Sequence, residues 1–142
     1  MKFKYRKIPD TTNPPYTHIS IPLLQVTLFH GGDHHDVLCL LDSGADESMF
    51  HTSIANLLGI DVKSGRPKTH FGIAGQSIDS FMHTIELQVQ GFNERIELEA
   101  AFTDANQMSL IGQRGFFDNY RVTFEKYRGR FEIKSRTFLR PR

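Results

Sequence analysis

Along most of the chain apolar residues alternate with polar ones in short stretches. Ile85, Leu87 and Val89 alternate with Glu86, Gln88 and Gln90, and Ile96, Leu98 and Ala100 repeat the pattern beyond a turn at Gly91-Phe92-Asn93. A period of two marks a half-buried strand. Ile19–Phe29 reads as a strand whose Pro22 places an edge or a bulge early in it. Gly31-Gly32-Asp33 is a turn signal, so Leu23–Phe29 and Asp36–Leu41 are expected to form a hairpin. Met1–Lys7, alternating Phe3 and Tyr5 with basic residues, predicts a short strand, and Pro9–Pro15 a linker. Val122 with Phe124, and Phe131 with Ile133, predict strands on either side of Arg128-Gly129. Helical spacing is confined to two places. Thr52 can cap Ser53–Leu58, which Gly59 ends and which would bury Ile54, Leu57 and Leu58. Gln113–Asn119 predicts a second short helix, weakened by Gly115. Many short strands with closely spaced turns predict a mainly β fold, a small closed β-barrel with one or two short helices.

One stretch departs from this pattern. The apolar run Val37–Leu41 leads straight into Asp42-Ser43-Gly44-Ala45-Asp46. A carboxylate at the rim of a core is costly unless something satisfies or uses it. Gly44 permits a sharp turn or a close approach directly after it. Standing alone, Asp-Ser-Gly also suits an ordinary exposed turn.

Composition narrows the classes. With 142 residues the chain is one domain, long enough for a real core. Its net charge of +1 speaks against a nucleic-acid partner held by bulk electrostatics. The single cysteine, Cys39, excludes an internal disulfide framework and reads as a small buried hydrophobe in a reducing compartment. The basic start, Lys2 to Lys7, is followed by prolines and polar residues instead of a signal-peptide core, and no run reaches membrane-spanning length. A soluble cytoplasmic protein with no membrane partner is the expectation. His30, Asp33, His34, His35 and Asp36 crowd a glycine turn without the spacing of a ligand set, so no metal is expected. Arg128, Arg130, Lys134, Arg136, Arg140 and Arg142 read as a solubilising strand face balanced by acids elsewhere.

Asp42-Ser43-Gly44-Ala45, preceded by Leu40-Leu41, resembles the active-site loop of the retropepsin-like aspartic proteases, the retroviral protease class. Two further elements follow in the family's order. Phe71-Gly72-Ile73-Ala74-Gly75-Gln76 stands where the family carries its flap, and Ser109-Leu110-Ile111-Gly112 stands at its apolar-apolar-glycine signature. The resemblance covers roughly Ile19 to Ile133, within a domain expected over residues 16–142 after an N-terminal strand and linker over 1–15.

The resemblance implies an aspartic endopeptidase without metal or organic cofactor, with Asp42 as catalytic acid. Two carboxylates must share one proton around a water. The chain carries one such motif, so a homodimer that pairs the two Asp42 side chains is required. Ser43, Gly44 and Ala45 are then loop residues, Ser43 crossing to the partner's loop and Gly44 offering its carbonyl to a substrate amide. Asp46 would bind the backbone of a peptide or protein substrate. Gly72, Ile73, Ala74 and Gly75 would close over the peptide, and Leu40, Met49, Ile73 and Leu110 would line apolar pockets. In the retroviral pattern an Arg directly after the glycine signature pairs with the residue at Asp46. Here Gln113 takes that place and Arg114 follows, which leaves the partner of Asp46 open. Retroviral members also interleave their termini between subunits, a role the Phe3/Tyr5 and Phe131/Ile133 strands could take. The rival reading is a non-catalytic peptide-binding or dimerisation module on the same fold.

Overall fold

The computed structural model describes residues 1–105 and 107–139. Arg140 and Arg142, counted above among the basic residues, lie outside them. In chain order the strands are β1 (Lys2–Lys4), β2 (Arg6–Pro9), β3 (His18–Ile21), β4 (Leu23–His30), β5 (Asp33–Leu41) and β6 (Ser48–His51). Helix α1 (Thr52–Leu57) follows, then β7 (Arg66–Phe71), β8 (Ser77–Val89), β9 (Ile96–Thr103), β10 (Leu110–Ile111), β11 (Tyr120–Glu125), β12 (Arg130–Ser135) and helix α2 (Arg136–Leu139). Pro22 separates β3 from β4, as a residue without an amide donor should.

Seven strands form one sheet in the order β4-β5-β10-β6-β9-β8-β7, and a further pairing of β4 with β8 closes it on itself. Val26 lies opposite Val37 on one side and Val89 on the other. The inward positions of the period-two pattern fill the interior: Leu24, Val26, Leu28, Cys39, Ile85, Leu87, Val89, Phe50 and Phe102 are all buried. Each such side chain contributes ~1.5–3 kcal/mol when removed from water. Burial also pushes the Cys39 thiol pKa well up, so it stays protonated as a packing residue. A second, smaller apolar cluster of Met49, Met82 and Ala101, with Ile78 and Leu110 against it, lies apart from this core.

The terminal segments form a three-stranded sheet, β1-β12-β11, whose inner face packs on the core. Phe3 stacks on Phe131 at 5.3 Å and Tyr5 meets the same ring edge-on at 5.8 Å. β12 pairs with β1 along one edge and with β11 along the other.

Two helix expectations are corrected. The N-cap of α1 is His51, whose Nδ1 accepts from the Ser53 amide at 3.1 Å, while Thr52 Oγ1 donates to Asp104 at 2.5 Å. Its buried face is Ala55 and Leu58, with Ile54 half-buried and Leu57 exposed. Gln113–Phe117 is an irregular turn, not a helix: Arg114 is extended and Gly115 has φ 85°. A Cβ at Gly115 would lie 2.4 Å from that of Leu98, so close packing on β9 sets the backbone there. Among the described residues no helix is long and apolar enough to cross a membrane.

Candidate active site

The end of β5 is gripped from two sides. Leu40 and Leu41 pair in parallel with Leu110 and Ile111, while Leu110 also faces Met49 of β6. The Leu40 amide donates to Ser109 O at 2.9 Å and the Asp42 amide to Ile111 O at 2.9 Å. The apolar run therefore stops where β10 stops, and the chain turns with its first carboxylate at the sheet's rim. The Gly44 amide donates to Asp42 Oδ1 at 2.9 Å, and the Ala45 amide to Asp42 O at 3.2 Å. Asp42 is half-buried, with Ser43 and Gly44 exposed beside it.

The loop is then tied to the segment after β10. Gln113 and Arg114 donate their amides to Ala45 O and Asp46 O, both at 2.8 Å. Gln113 Nε2 reaches Ser43 O at 2.7 Å, and the Gly112 amide reaches Ser48 Oγ at 3.2 Å. A Cβ on Gly112 would lie 2.6 Å from Glu47 O and 2.7 Å from Ala45 O. Only glycine lets the two segments approach so closely.

Glu47 is buried behind the loop. Its Oε1 accepts from Lys68 of β7 and from Arg114 Nη1 at 3.3 Å, while Oε2 has no hydrogen-bond partner among the described residues. Lys68 is thereby joined to the loop floor. Two residues on, His70 Nε2 lies 2.7 Å from Ser80 Oγ, which donates to Lys68 O at 3.0 Å. Desolvation holds the His70 pKa below that of a free imidazole, with the Glu47 charge raising it and the Lys68 charge lowering it further.

Above the loop stands the β7–β8 hairpin. Its tip is closed by bonds among its own residues: Gly72 N to Gln76 O at 2.8 Å and Gly75 N to Gly72 O at 3.0 Å, with Gly75 at φ 83°. Phe71 and Ile73 are 76% and 109% exposed, so the hairpin carries two large apolar side chains in the open at its end. Between hairpin and loop lies a cleft of about 500 Å³, its floor formed by Asp42, Gly44, Ala45, Asp46, Met49 and Leu110.

Two solved structures share this architecture. A retropepsin-like aspartic protease from Rickettsia conorii superposes with a TM-score of 0.57 over 79% of this chain and 89% of its own, at 14% identity. EIAV protease in complex with an inhibitor superposes with a TM-score of 0.50 over 73% of this chain and 88% of its own, at 21% identity. The fold is that of the retropepsin-like aspartic proteases. A scan of protein-family models finds no match, and a sequence search of curated proteins finds none.

On this retropepsin fold most of the expected residues converge. Gly72 and Ile73 join the six floor residues around the cleft. Leu40 is half-buried in the β5–β10 pairing, Ser43 lies at the exposed turn, and Ala74 and Gly75 form the outer part of the hairpin tip; none of the four lines the cleft. Glu47, Lys68 and His70 were not anticipated. The ion pair left open for Asp46 falls one residue later on both sides, between Glu47 and Arg114, while Asp46 accepts the Arg114 amide through its backbone carbonyl. The displacement of Arg from 113 to 114 was the available signal, since it matches the acid one place after Asp46.

Proposed function

We propose that the chain is an aspartic endopeptidase that acts as a homodimer, one Asp42 from each subunit forming the catalytic pair. The observation that carries this reading is the placement of Asp42. It is the carboxylate at the end of β5, on the cleft floor beneath the hairpin, with Gly44 N on one oxygen. A lone carboxylate cannot act as both base and acid in one hydrolytic step. Two that share a proton can: one draws a proton from the water as it attacks, and the other donates to the scissile carbonyl oxygen. A two-fold axis beside the exposed Ser43-Gly44 turn brings the second copy to the first.

The peptide would lie extended between floor and flap, bonded through main-chain groups of the Gly44–Asp46 loop and of the flap at Ile73, which lines the cleft; Ala74 and Gly75 would reach it only if the flap closed further. The exposed Phe71 and Ile73 would cover it, and Met49, Ile78 and Leu110 give an apolar wall for its side chains. The Glu47–Lys68–Arg114 cluster fixes the loop relative to the flap's base. No metal or cofactor enters this scheme. The test is Asp42→Asn, assayed on a library of apolar peptides with fold followed by circular dichroism. Cleavage should fall by at least about 1,000-fold, as for loss of an essential acid–base group, while the protein remains folded. Undiminished cleavage by the folded variant would assign the activity elsewhere. A wild-type protein that binds peptides and never cleaves them would favour the binding-module reading.

A further inference from the structure

The net charge of +1 conceals a separation of charge along the chain. Residues 1–9 and 120–142 hold twelve Lys and Arg against two Glu, whereas residues 10–119 hold five against fourteen Asp and Glu. Folding brings part of these ends together, because β1 pairs with β12 and β12 with β11, while Arg6 and Lys7 lie on β2, which pairs with β3. Residues paired across an antiparallel ladder share a face. Lys2 stands opposite Glu132, Lys4 opposite Arg130, and Arg121 opposite Lys134. The outer face of the terminal sheet thus carries Lys2, Lys4, Arg121, Arg130 and Lys134, with Thr123, Glu125 and Glu132 between them.

Like charges placed directly opposite destabilise a sheet. This face keeps two such pairs, Lys4 with Arg130 and Arg121 with Lys134. Both of its acids are engaged, Glu125 by Arg130 at 3.1 Å and Glu132 by Lys134 at 3.5 Å. The two acids on this face offset only two of its five cations, leaving an excess of three on a β lattice with side chains about 7 Å apart along a strand and about 5 Å between strands. At one end Tyr127 is 80% exposed with the Arg128 guanidinium 5.3 Å from its ring centre. None of these residues lines the candidate cleft.

We infer that the outer face of the β1-β12-β11 sheet binds the phosphate backbone of a nucleic acid without reading its sequence. The ligand must be a dense polyanion, since separated cations gain most from a partner whose charge repeats continuously. Duplex DNA offers one charge per about 1.7 Å of axis. A membrane surface fits less well, because β1, β11 and β12 put no apolar side chain on this face to enter the lipid and Tyr127 stands at its end. The acidic remainder of the chain is repelled by the same polyanion, so binding orients the molecule with the basic sheet inward.

The test is fluorescence anisotropy with a labelled 20-base-pair DNA duplex and a 20-nucleotide RNA at 50 and 200 mM potassium chloride. Three phosphate contacts, one for each cation not paired with Glu125 or Glu132, predict an affinity loss of about 40-fold between the two salt concentrations. The variant Lys2→Gln/Lys4→Gln/Arg121→Gln/Lys134→Gln should lose about 100-fold at 50 mM and most of the salt dependence. Lys4→Gln/Arg121→Gln relieves both like-charge pairs, so it should melt no lower than wild type and still lose about tenfold. Lys63→Gln, in the acidic part, should bind as wild type. The inference is overturned by absence of binding at 50 mM salt or by equal binding of wild type and the folded variants. It is also overturned by displacement with poly-glutamate as effective as with unlabelled DNA, or by binding to 3:7 phosphatidylserine–phosphatidylcholine vesicles and not to either oligonucleotide.

Discussion

The cleft floor and the hairpin above it are both glycine-bearing turns, and they are held in opposite ways. The floor, Asp42 to Ser48, is fastened by residues some 70 positions away: Ile111 O takes the Asp42 amide, while Gly112, Gln113 and Arg114 bond to Ser48, Ser43, Ala45, Asp46 and Glu47. Among the described residues the hairpin tip, Gly72 to Gln76, is closed by its own backbone alone, and it exposes Ile73 beside an exposed Phe71 at its base. Long-range bonds in a buried setting fix geometry, whereas a turn bonded to itself opens at little cost. The proposed peptidase function, which requires a carboxylate held still while a chain enters and leaves, would draw on this division.

The largest expected effect comes from pushing the floor apart. In Gly112→Ala the added methyl meets two backbone carbonyls that have nowhere to go. It should cost about 2–4 kcal/mol of stability, read from chemical denaturation, and lower cleavage in proportion to the misplaced loop. An unchanged midpoint would mean that the floor is as compliant as the hairpin.

Next is the joint between the two regions. Glu47→Gln removes the charge that gathers Lys68 and Arg114 and should destabilise by about 2 kcal/mol. Lys68→Met in the same background should cost little more, because the partner is already gone. Full additivity of the two changes would show that floor and hairpin base are not coupled through this pair.

The mildest effect on stability is expected at the tip. Gly75→Val places a β-branched residue at φ 83°, a strain of about 1–2 kcal/mol that the exposed turn can partly relax. Turnover should fall about tenfold while the melting temperature moves little. Equal kinetics for wild type and variant would reduce the hairpin to an ordinary turn.

The same contrast explains what was legible in the sequence. The strands follow from period-two alternation, and Pro22 and Gly59 marked real breaks. Asp42 was legible because an apolar run ended on it. What escaped was set by contacts between distant segments. His51 caps α1 because Thr52 is drawn away by Asp104. Gln113–Phe117 departs from a helix at Arg114 and at Gly115, whose positive φ and close approach to Leu98 only glycine accommodates. Glu47 and Lys68 carry no local signature; they matter only once β7 lies beside the loop. The clustering of basic ends required knowing that β1 pairs with β12.

The central claim is that two Asp42 carboxylates, one per subunit, form a single site. Holding wild-type protein fixed and adding a ninefold excess of Asp42→Asn subunits, with time for exchange, tests it directly. If both aspartates are needed, only about one tenth of the wild-type subunits then meet a wild-type partner, and cleavage should fall to about one tenth. Cleavage that stays constant as the inactive subunit is added would show that each chain acts alone, and would contradict the shared site.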